Sequence, residues 1–321
     1  MKAICYSTKA VEKDLLIKAN DKKHDITLIS DALKAETACF AKGNQAVIVF
    51  TNDEVTAPII HKLSALGIQY ILTRSVGTDH IDIQAAKKLG IQVANIPAYS
   101  PQAIAEHTLA LALALSRHLI QANQQCREFN FCLDHLTGFN FFGKTVGLIG
   151  LGHIGTATAA IFNGLGCKVL GYDIKPQKIK HVEIVALDTL LRESDVISLH
   201  TPLTPATTHM INEDTLQLMK DGVMIINTAR GDLIKTTAAL AALKSKKIGY
   251  LGLDVYEYEK GLFFEDHEVD EVRDTLFSEL MSYPNVLISP HQAFLTKEAL
   301  EEIASHTINI MDRWSEPTAA R

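Results

Sequence analysis

Residues 144–173 read KTVGLIGLGHIGTATAAIFNGLGCKVLGYD, a stretch that strongly restricts the fold of the chain. A short apolar run breaks into the pattern Gly150-Leu151-Gly152-His153-Ile154-Gly155, an Ala- and Ile-rich segment follows, and a second apolar run ends at Asp173. This order predicts a strand, a glycine turn, a helix and a second strand with an acidic residue at its end. A parallel α/β sheet is the expected setting for such a unit.

Each glycine has a physical purpose if this turn binds a dinucleotide. Gly150 permits the tight turn, Gly152 lets the backbone approach a pyrophosphate, and Gly155 lets the helix pack closely on the strand. The helix N-terminus offers unpaired N–H groups and a positive dipole to the phosphates. Asp173 would accept hydrogen bonds from ribose hydroxyls and repel a 2′-phosphate, which favours NAD over NADP, although Lys175 leaves NADP open. The alternative interpretation is a glycine-rich turn in an ordinary βαβ unit.

Length and charge exclude several classes of protein. At 321 residues the chain is too long for one ordinary core, so two domains are expected. The net charge is −6 and the sequence has no basic run, which argues against a nucleic-acid partner. No segment resembles a signal peptide or approaches the ~20 apolar residues of a membrane span, so a cytosolic location is expected.

The cysteines are odd in number and scattered, without a CxxC pair: Cys5, Cys39, Cys126, Cys132 and Cys167. This distribution predicts reduced and mostly buried thiols. It also gives no convincing metal site or cysteine nucleophile, so no metal is expected.

The first hundred residues alternate between short apolar runs and amphipathic stretches. The runs lie at 3–6, 26–29, 46–50, 70–73 and 92–96, and the helical patterns include 57–66 and 83–89. This alternation predicts a small doubly wound domain with a parallel sheet. Ser100 and Pro101 then begin a long helix through residue 119 that is apolar almost all round. A core position and a subunit interface are both open for this helix.

The alternation resumes after the glycine turn and predicts a second doubly wound domain. Strands are expected at 182–185, 195–200, 223–227, 250–255 and 286–289, and helices near 187–193, 213–220, 236–245 and 272–281. A last helix over about 296–314 could fold back onto the first domain, which would make that domain discontinuous.

Three polar residues follow predicted strands of the second domain, at the edge where open α/β sheets bind ligands. They are Arg230, Glu259 and His291. Histidine can donate a proton to a carbonyl oxygen that gains negative charge during hydride transfer. A carboxylate can orient that ring, and a guanidinium can bind a substrate carboxylate through two hydrogen bonds. The set therefore indicates hydride transfer with a 2-oxo acid.

Position alone leaves competitors for these roles. Glu257 competes with Glu259, and Arg74, which follows a predicted strand of the first domain, competes with Arg230. Three further histidines could be ordinary packed or solvated residues: His107, His200 and His209.

The first domain offers substrate contacts of its own. Ser75-Val76-Gly77-Thr78-Asp79 follows a predicted strand, and a glycine there could expose backbone N–H groups to a carboxylate, although an ordinary βα turn fits almost as well. Tyr99 and Phe294 lie where the chain would cross between domains and could form walls of a cleft, or they could simply pack.

Taken together, these motifs resemble the D-specific 2-hydroxyacid dehydrogenase family, most closely its bacterial fermentative D-lactate dehydrogenases. The similar stretches are GLGHIG with Asp173, NTARG around Arg230, GLDVYEYEKGLFFED around Glu259, and SPHQAFLTKEAL around His291. The resemblance extends over essentially the whole chain. It implies a Rossmann NAD domain over residues 101–294, inserted into a flavodoxin-like substrate domain formed by residues 1–100 and 295–321.

The resemblance also implies roles for individual residues. Arg230, Glu259 and His291 match the catalytic set, with Glu259 rather than Glu257 at the motif position. Four positions match substrate contacts: Val76, Gly77, Tyr99 and Phe294, with Arg230 binding substrate as well. The positions that match cofactor contacts are Gly150, Gly152, His153, Ile154, Gly155, Asp173, Thr201, Pro202, Thr228, Ala229 and Asp254, the last at the position that holds the nicotinamide amide. A homodimer or homotetramer, formed through the long helix after Ser100, is also implied.

The resulting hypothesis is reversible, NADH-dependent reduction of pyruvate to D-lactate in fermentation, with His291 as the acid/base. Another 2-oxo acid, such as phenylpyruvate, hydroxypyruvate or glyoxylate, is the nearest alternative, because the sequence does not position the side chains that set pocket size. A non-catalytic NAD-sensing corepressor is a more distant alternative.

Overall fold

The computed structural model describes residues 1–175, 177–268 and 274–316. The chain divides into two compact units. The first unit consists of Met1–Ser100 with Leu295–Arg321, and the second consists of Pro101–Phe294. Each unit has its own parallel sheet and its own apolar core.

The first unit has a five-stranded sheet in the order β2-β1-β3-β4-β5, with every neighbouring pair parallel. Its elements in chain order are β1 (Lys2–Cys5), α1 (Ala10–Asn20), β2 (Asp25–Leu28), β3 (Ala46–Val49), α2 (Ala57–Ala65), β4 (Tyr70–Thr73), α3 (Ile83–Lys88) and β5 (Gln92–Asn95). The central strand β3 is buried along its whole length, as expected where helices cover both faces. The 2-1-3-4-5 order is that of flavodoxin-like sheets.

The second unit has a seven-stranded parallel sheet in the order β12-β11-β10-β9-β6-β7-β8. Its elements in chain order are α4 (Pro101–Ser116), α5 (Leu119–Arg127), β6 (Thr145–Ile149), α6 (His153–Gly164), β7 (Lys168–Tyr172), β8 (Glu183–Ile184), α7 (Leu187–Glu193), β9 (Val196–Leu199), α8 (Glu213–Leu218), β10 (Val223–Asn227), α9 (Thr236–Lys244), β11 (Ile248–Leu253), α10 (Thr275–Ser282) and β12 (Val286–Ile288). The first strand of this sheet, β6, has β7 and β8 on one side and β9 to β12 on the other. This reversal of strand order beside the first strand is the Rossmann arrangement. The predicted pair of doubly wound sheets is confirmed.

The last helix, α11 (Lys297–Ser315), belongs to the first unit. The Thr296 side chain accepts a hydrogen bond from the Ala299 N–H at its start. Apolar residues of the helix, among them Ile308 and Met311, pack into a core cluster with β1, and Trp314 stacks on Tyr70 with ring centroids 4.7 Å apart. The chain therefore leaves the first unit at residue 100 and returns to it for its final helix.

The long helix predicted through residue 119 is shorter in the structure. It ends at Ser116, because His118 adopts a left-handed conformation with φ +51°, and α5 begins directly afterwards at Leu119. A hydrogen bond of 2.9 Å between His118 Nδ1 and Gln121 Oε1 accompanies this break. The remaining helix α4 packs against α6, β10 and β11 and buries residues such as Leu111 in the core of the second unit.

The prediction of mostly buried cysteines is wrong. All five thiols are unpaired, but only Cys5 and Cys167 are buried, while Cys39, Cys126 and Cys132 are exposed. The two exposed cysteines of the second unit are Cys126 and Cys132. They lie at the end of polar helix α5 and in the irregular segment after it, where no apolar face covers them. Burial raises the pKa of the Cys167 thiol to about 11.

The predicted helix over 272–281 is present as α10, and the predicted start at Val272 lies outside the described residues. Within the described ranges, no cluster of three or more His, Cys, Asp or Glu side chains is arranged to hold a metal ion. None of the helices described is both long and apolar enough to span a bilayer.

Candidate active site

The glycine turn after β6 is shaped by two close approaches. Gly150 has φ +95°, and a Cβ at this position would collide with the carbonyl group of His200 after β9. A Cβ on Gly155 would collide with the carbonyl oxygen of Gly150, because the first turn of α6 packs directly on the strand end. By contrast, a Cβ on Gly152 would meet nothing within 4 Å. The open side of the turn is therefore at Gly152.

Gly152 is also the residue at the N-terminal end of α6. The first N–H groups of a helix have no acceptor within it, so those of His153 and Ile154 are available beside this open space. Asp173, directly after β7, accepts a 2.8 Å hydrogen bond from Leu151 N–H of the turn and another of 2.8 Å from Lys175 N–H. Open space, helix N–H groups and a fixed carboxylate fit the pyrophosphate and ribose of a dinucleotide.

The neighbouring strand ends carry the other predicted cofactor residues. Thr201 and Pro202 follow β9, and the Pro202 carbonyl accepts a 2.7 Å hydrogen bond from Thr207. After β10, the Thr228 hydroxyl lies 3.0 Å from that of Thr108 on α4. The N–H group of Ala229, in the same turn, donates to the Asn227 side chain over 3.0 Å.

His291 and Glu259 form the central pair of the site. His291 Nδ1 lies 2.8 Å from Glu259 Oε1, and their side chains are 14% and 24% exposed. The second carboxylate oxygen accepts a 3.0 Å hydrogen bond from the Tyr256 N–H. Because a carboxylate only accepts, Nδ1 of the ring carries hydrogen and donates to Glu259. The Nε2 atom is thereby the ring nitrogen that can exchange a proton with a substrate.

The competing carboxylate, Glu257, has other partners. Its Oε1 lies 2.8 Å from His209 Nε2, and its Oε2 accepts a 2.8 Å hydrogen bond from Thr236 N–H at the start of α9. Burial would raise the pKa of Glu257, but the hydrogen bonds from Thr236 and His209 outweigh it and the pKa is lowered. The geometry therefore pairs Glu259, not Glu257, with His291.

Arg230 lies in the turn after β10, which packs directly on the turn after β11. Its Nη1 donates to the Ala229 carbonyl over 2.7 Å, and the Asn227 side chain donates to the Arg230 carbonyl over 2.7 Å. A Cβ on Gly231 would collide with the backbone of Tyr256. This contact brings the Arg230 turn against the segment that carries Glu259.

The competing arginine, Arg74, is a core residue of the first unit. Its side chain is fully buried, and Nη1 pairs with Glu12. Its Nη2 donates to the carbonyl groups of Tyr6 and Ser7 over 2.9 and 3.2 Å. A guanidinium occupied in this way stabilises the core and does not suit a substrate carboxylate.

The loop that carries His291 is held by Asp254, the residue directly after β11. The main-chain oxygen of Asp254 accepts a 2.7 Å hydrogen bond from His291 N–H, and its carboxylate accepts from Gln292 N–H and Ala293 N–H over 2.9 and 2.8 Å. The carboxylate is 1% exposed. Asp254 therefore determines the path of the loop, and its predicted contact with the nicotinamide stays a prediction.

Phe264 is a neighbour of His291 that the sequence did not predict. The ring centroids of Phe264 and His291 are 5.5 Å apart at an interplanar angle of 40°. Phe264 has φ +69°, at the end of the turn that follows Glu259. No strand end or spacing marked this residue, since only the folding of the turn places it beside the imidazole.

In the first unit, the predicted carboxylate-binding turn follows β4. The Ser75 hydroxyl donates to the Gly77 carbonyl, and the Asn95 side chain donates to the Val76 carbonyl, both over 2.7 Å. The N–H groups of Val76 and Gly77 find no acceptor among the described residues. Tyr99 packs partly buried against the core of this unit. Phe294, half-buried, is the last residue of the second unit.

The three competing histidines lie in separate environments. His209 pairs with Glu257, as described above. His200 Nε2 lies 2.9 Å from the Ser198 hydroxyl, and burial lowers the pKa of His200 to about 4. His107, on α4, lies 2.8 Å from the Ser289 hydroxyl. None of the three contacts Glu259.

Comparison with known proteins identifies the family. Residues 109–293 match the model of the D-isomer specific 2-hydroxyacid dehydrogenase NAD binding domain. The D-lactate dehydrogenase of Escherichia coli strain K12 is 45% identical over 312 residues, which cover 96% of this chain and 95% of that protein. The chain belongs to the D-isomer specific 2-hydroxyacid dehydrogenase family. This result confirms the resemblance carried by the sequence motifs.

Solved structures agree with this membership. A pyruvate reductase of Chlamydomonas reinhardtii has a TM-score of 0.90 and 42% identity, covering 100% of this chain and 98% of that one. A D-lactate dehydrogenase of Aquifex aeolicus in complex with NAD and lactic acid has a TM-score of 0.88 and 35% identity, covering 98% and 95%. The protein is thus an NAD-dependent oxidoreductase, and the glycine turn with Asp173 fits that cofactor.

Proposed function

We propose that this dehydrogenase reduces pyruvate to D-lactate, reversibly, with His291 as the acid/base. The observation that carries the proposal is the 2.8 Å hydrogen bond between His291 and Glu259 at a strand end of the NAD-binding unit. The D-lactate dehydrogenase of Escherichia coli and the pyruvate reductase of Chlamydomonas reinhardtii support pyruvate as the substrate. The fermentative role and the homodimer or homotetramer belong to the same proposal.

The protein's own residues account for the proton in this reaction. The glycine turn and Asp173 would hold NADH, which would supply the hydride to the carbonyl carbon. Charge then develops on the carbonyl oxygen, and a protonated His291 gives its Nε2 proton to that oxygen. Glu259 holds the ring through Nδ1, so Nε2 keeps a defined direction. Glu259 also compensates the positive charge that the ring carries before the transfer.

Two sets of groups are proposed for the substrate carboxylate. Arg230 would bind it through the planar guanidinium, which matches a carboxylate with two parallel hydrogen bonds. The acceptor-free N–H groups of Val76 and Gly77 in the first unit would add a backbone contribution. Tyr99 and Phe294 are proposed as pocket walls, on the strength of the family resemblance at these positions.

The test is NADH oxidation with pyruvate, phenylpyruvate, hydroxypyruvate and glyoxylate in parallel, followed by a stereospecific assay of any lactate. The proposal expects pyruvate to have the highest kcat/KM and the product to be D-lactate. A higher kcat/KM for a bulkier or more polar oxo acid would overturn the substrate but keep the catalytic set. Formation of L-lactate would contradict the proposal outright.

A further inference from the structure

A chain of hydrogen bonds connects α4 with the loop that carries His291. His107 Nε2 lies 2.8 Å from the Ser289 hydroxyl and 3.3 Å from Asp254 Oδ1. The Ser289 hydroxyl lies 2.6 Å from the same carboxylate oxygen. The side chains of His107 and Asp254 are 18% and 1% exposed, so the cluster is largely withheld from water.

The chemistry of the three groups sets which atom donates in each of these hydrogen bonds. A carboxylate can only accept, so Ser289 donates its hydroxyl proton to Asp254 and keeps its oxygen as an acceptor. His107 Nε2 must then carry hydrogen, which it donates to Ser289 and, more weakly, to Asp254. Because donors and acceptors alternate in one direction, each bond strengthens the next.

At its far end, this chain of hydrogen bonds reaches the backbone of the loop that carries His291. Asp254 binds the N–H groups of His291, Gln292 and Ala293, three consecutive residues. His291 has φ +54°, a left-handed conformation that costs free energy for any residue with a Cβ. The loop keeps this shape because its neighbours hold it, and Asp254 provides most of the hydrogen bonds that do so.

We propose that His107 is a positioning residue for the acid/base step. It holds Ser289 and the Asp254 carboxylate in place, and through them it keeps the loop in the shape that presents His291 to Glu259. This inference rests on the proposed function of His291. In a cluster so little exposed, loss of the donor leaves the Ser289 oxygen and one carboxylate lone pair without a partner, and the cluster relaxes.

Two substitutions separate the hydrogen bond from the packing. His107→Phe keeps a planar ring and removes the donor, whereas His107→Gln restores an N–H donor on a side chain of similar reach. His61→Phe makes the same change from histidine to phenylalanine on the exposed face of α2 and is the matched control. Loss of one partly buried hydrogen bond corresponds to a fall in kcat of about tenfold for His107→Phe. The KM for pyruvate should stay nearly unchanged, and His107→Gln should recover most of kcat.

Hydrogen–deuterium exchange of the cofactor-free protein provides a readout that does not depend on activity. In His107→Phe, the amides of residues 291–293 should exchange about tenfold faster, since their acceptor is less firmly held. The amides of β6 and β7, which four and five strand positions separate from β12 in the same sheet, should exchange as in the wild type. A role in packing alone would instead raise exchange throughout the second unit and lower Tm.

The outcomes distinguish the two proposals. The positioning role is supported if exchange rises only at residues 291–293 in His107→Phe and returns to the wild-type rate in His107→Gln. It is overturned if His107→Phe exchanges and turns over like the wild type, or if both substitutions have the same effect. Should the wild-type protein reduce none of the 2-oxo acids, the proposed function fails, while the exchange result still decides whether His107 holds the loop.

Discussion

Replacing Glu259 by glutamine should slow turnover without weakening the binding of NADH. Glu259 uses both oxygens as acceptors, one for His291 Nδ1 at 2.8 Å and one for Tyr256 N–H at 3.0 Å. An amide has a single oxygen, so either the imidazole or the Tyr256 amide loses its acceptor. The bond that is lost involves a charged group and is worth about 1.5–3 kcal/mol.

This free energy converts into a measurable rate. At about 1.4 kcal/mol per tenfold change, kcat/KM for pyruvate should fall roughly 10- to 150-fold. NADH oxidation followed by absorbance measures the rate, and quenching of protein fluorescence measures the Kd for NADH.

Glu257→Gln is the matched control for this prediction. Its partners are His209 and the N–H group of Thr236, so the substitution should lower Tm and leave kcat/KM nearly unchanged. Equal losses of kcat/KM in the two variants, or a loss only in Glu257→Gln, would refute the assignment of Glu259.

Three further predictions concern other residues. Gly231→Ala should cost about 1–3 kcal/mol of stability, seen as a lower Tm, and reduce kcat, because its Cβ collides with the backbone of Tyr256; an unchanged Tm would contradict the close packing of the two turns. Arg230→Lys should raise the KM for pyruvate about tenfold or more at saturating NADH, whereas Arg74→Lys should mainly lower Tm. A raised KM in Arg74→Lys, with only a lower Tm in Arg230→Lys, would instead make Arg74 the residue that binds the substrate. Because burial lowers the pKa of His200 to about 4, the unfolded chain gains a proton first as the pH falls below about 6.5. The contribution of His200 to the free energy of unfolding should therefore be level above that pH and fall by up to about 1.4 kcal/mol per unit between pH ~6.5 and ~4. Urea titrations at several pH values measure this dependence. The free energy of unfolding of His200→Gln should change less with pH than that of the wild type, and an identical pH dependence would show that His200 does not cause it.

Local pattern was enough to predict the sheets. The apolar runs at Tyr70–Thr73 and Val223–Asn227 became strands with the same bounds, and Leu187–Glu193 became a helix with the same bounds. In a parallel sheet covered on both faces, each strand is a continuous apolar run bounded by polar residues, so its limits are visible in the sequence. The end of the long helix at Ser116 was not visible, because no proline or glycine precedes the left-handed residue His118.

The candidate site was predictable to the extent that it follows the strand ends. That rule selected Arg230, Glu259 and His291, which are residues of one unit at the carboxyl edge of its sheet. It could not choose between Glu257 and Glu259, since two residues in one turn differ only in the direction of their side chains. The contacts of Phe264 also depend on the folded turn, which no local pattern encodes.

The most direct test of the proposed acid/base role compares the wild type with His291→Gln in NADH oxidation with pyruvate, with the Kd for NADH measured on the same samples. Loss of a general acid/base corresponds to a fall in kcat of about 10²- to 10⁴-fold. We predict a loss of that size with NADH binding unchanged, because the glycine turn and Asp173 are untouched. Turnover near the wild-type rate in His291→Gln would show that the proton comes from another group and would remove His291 from the acid/base role.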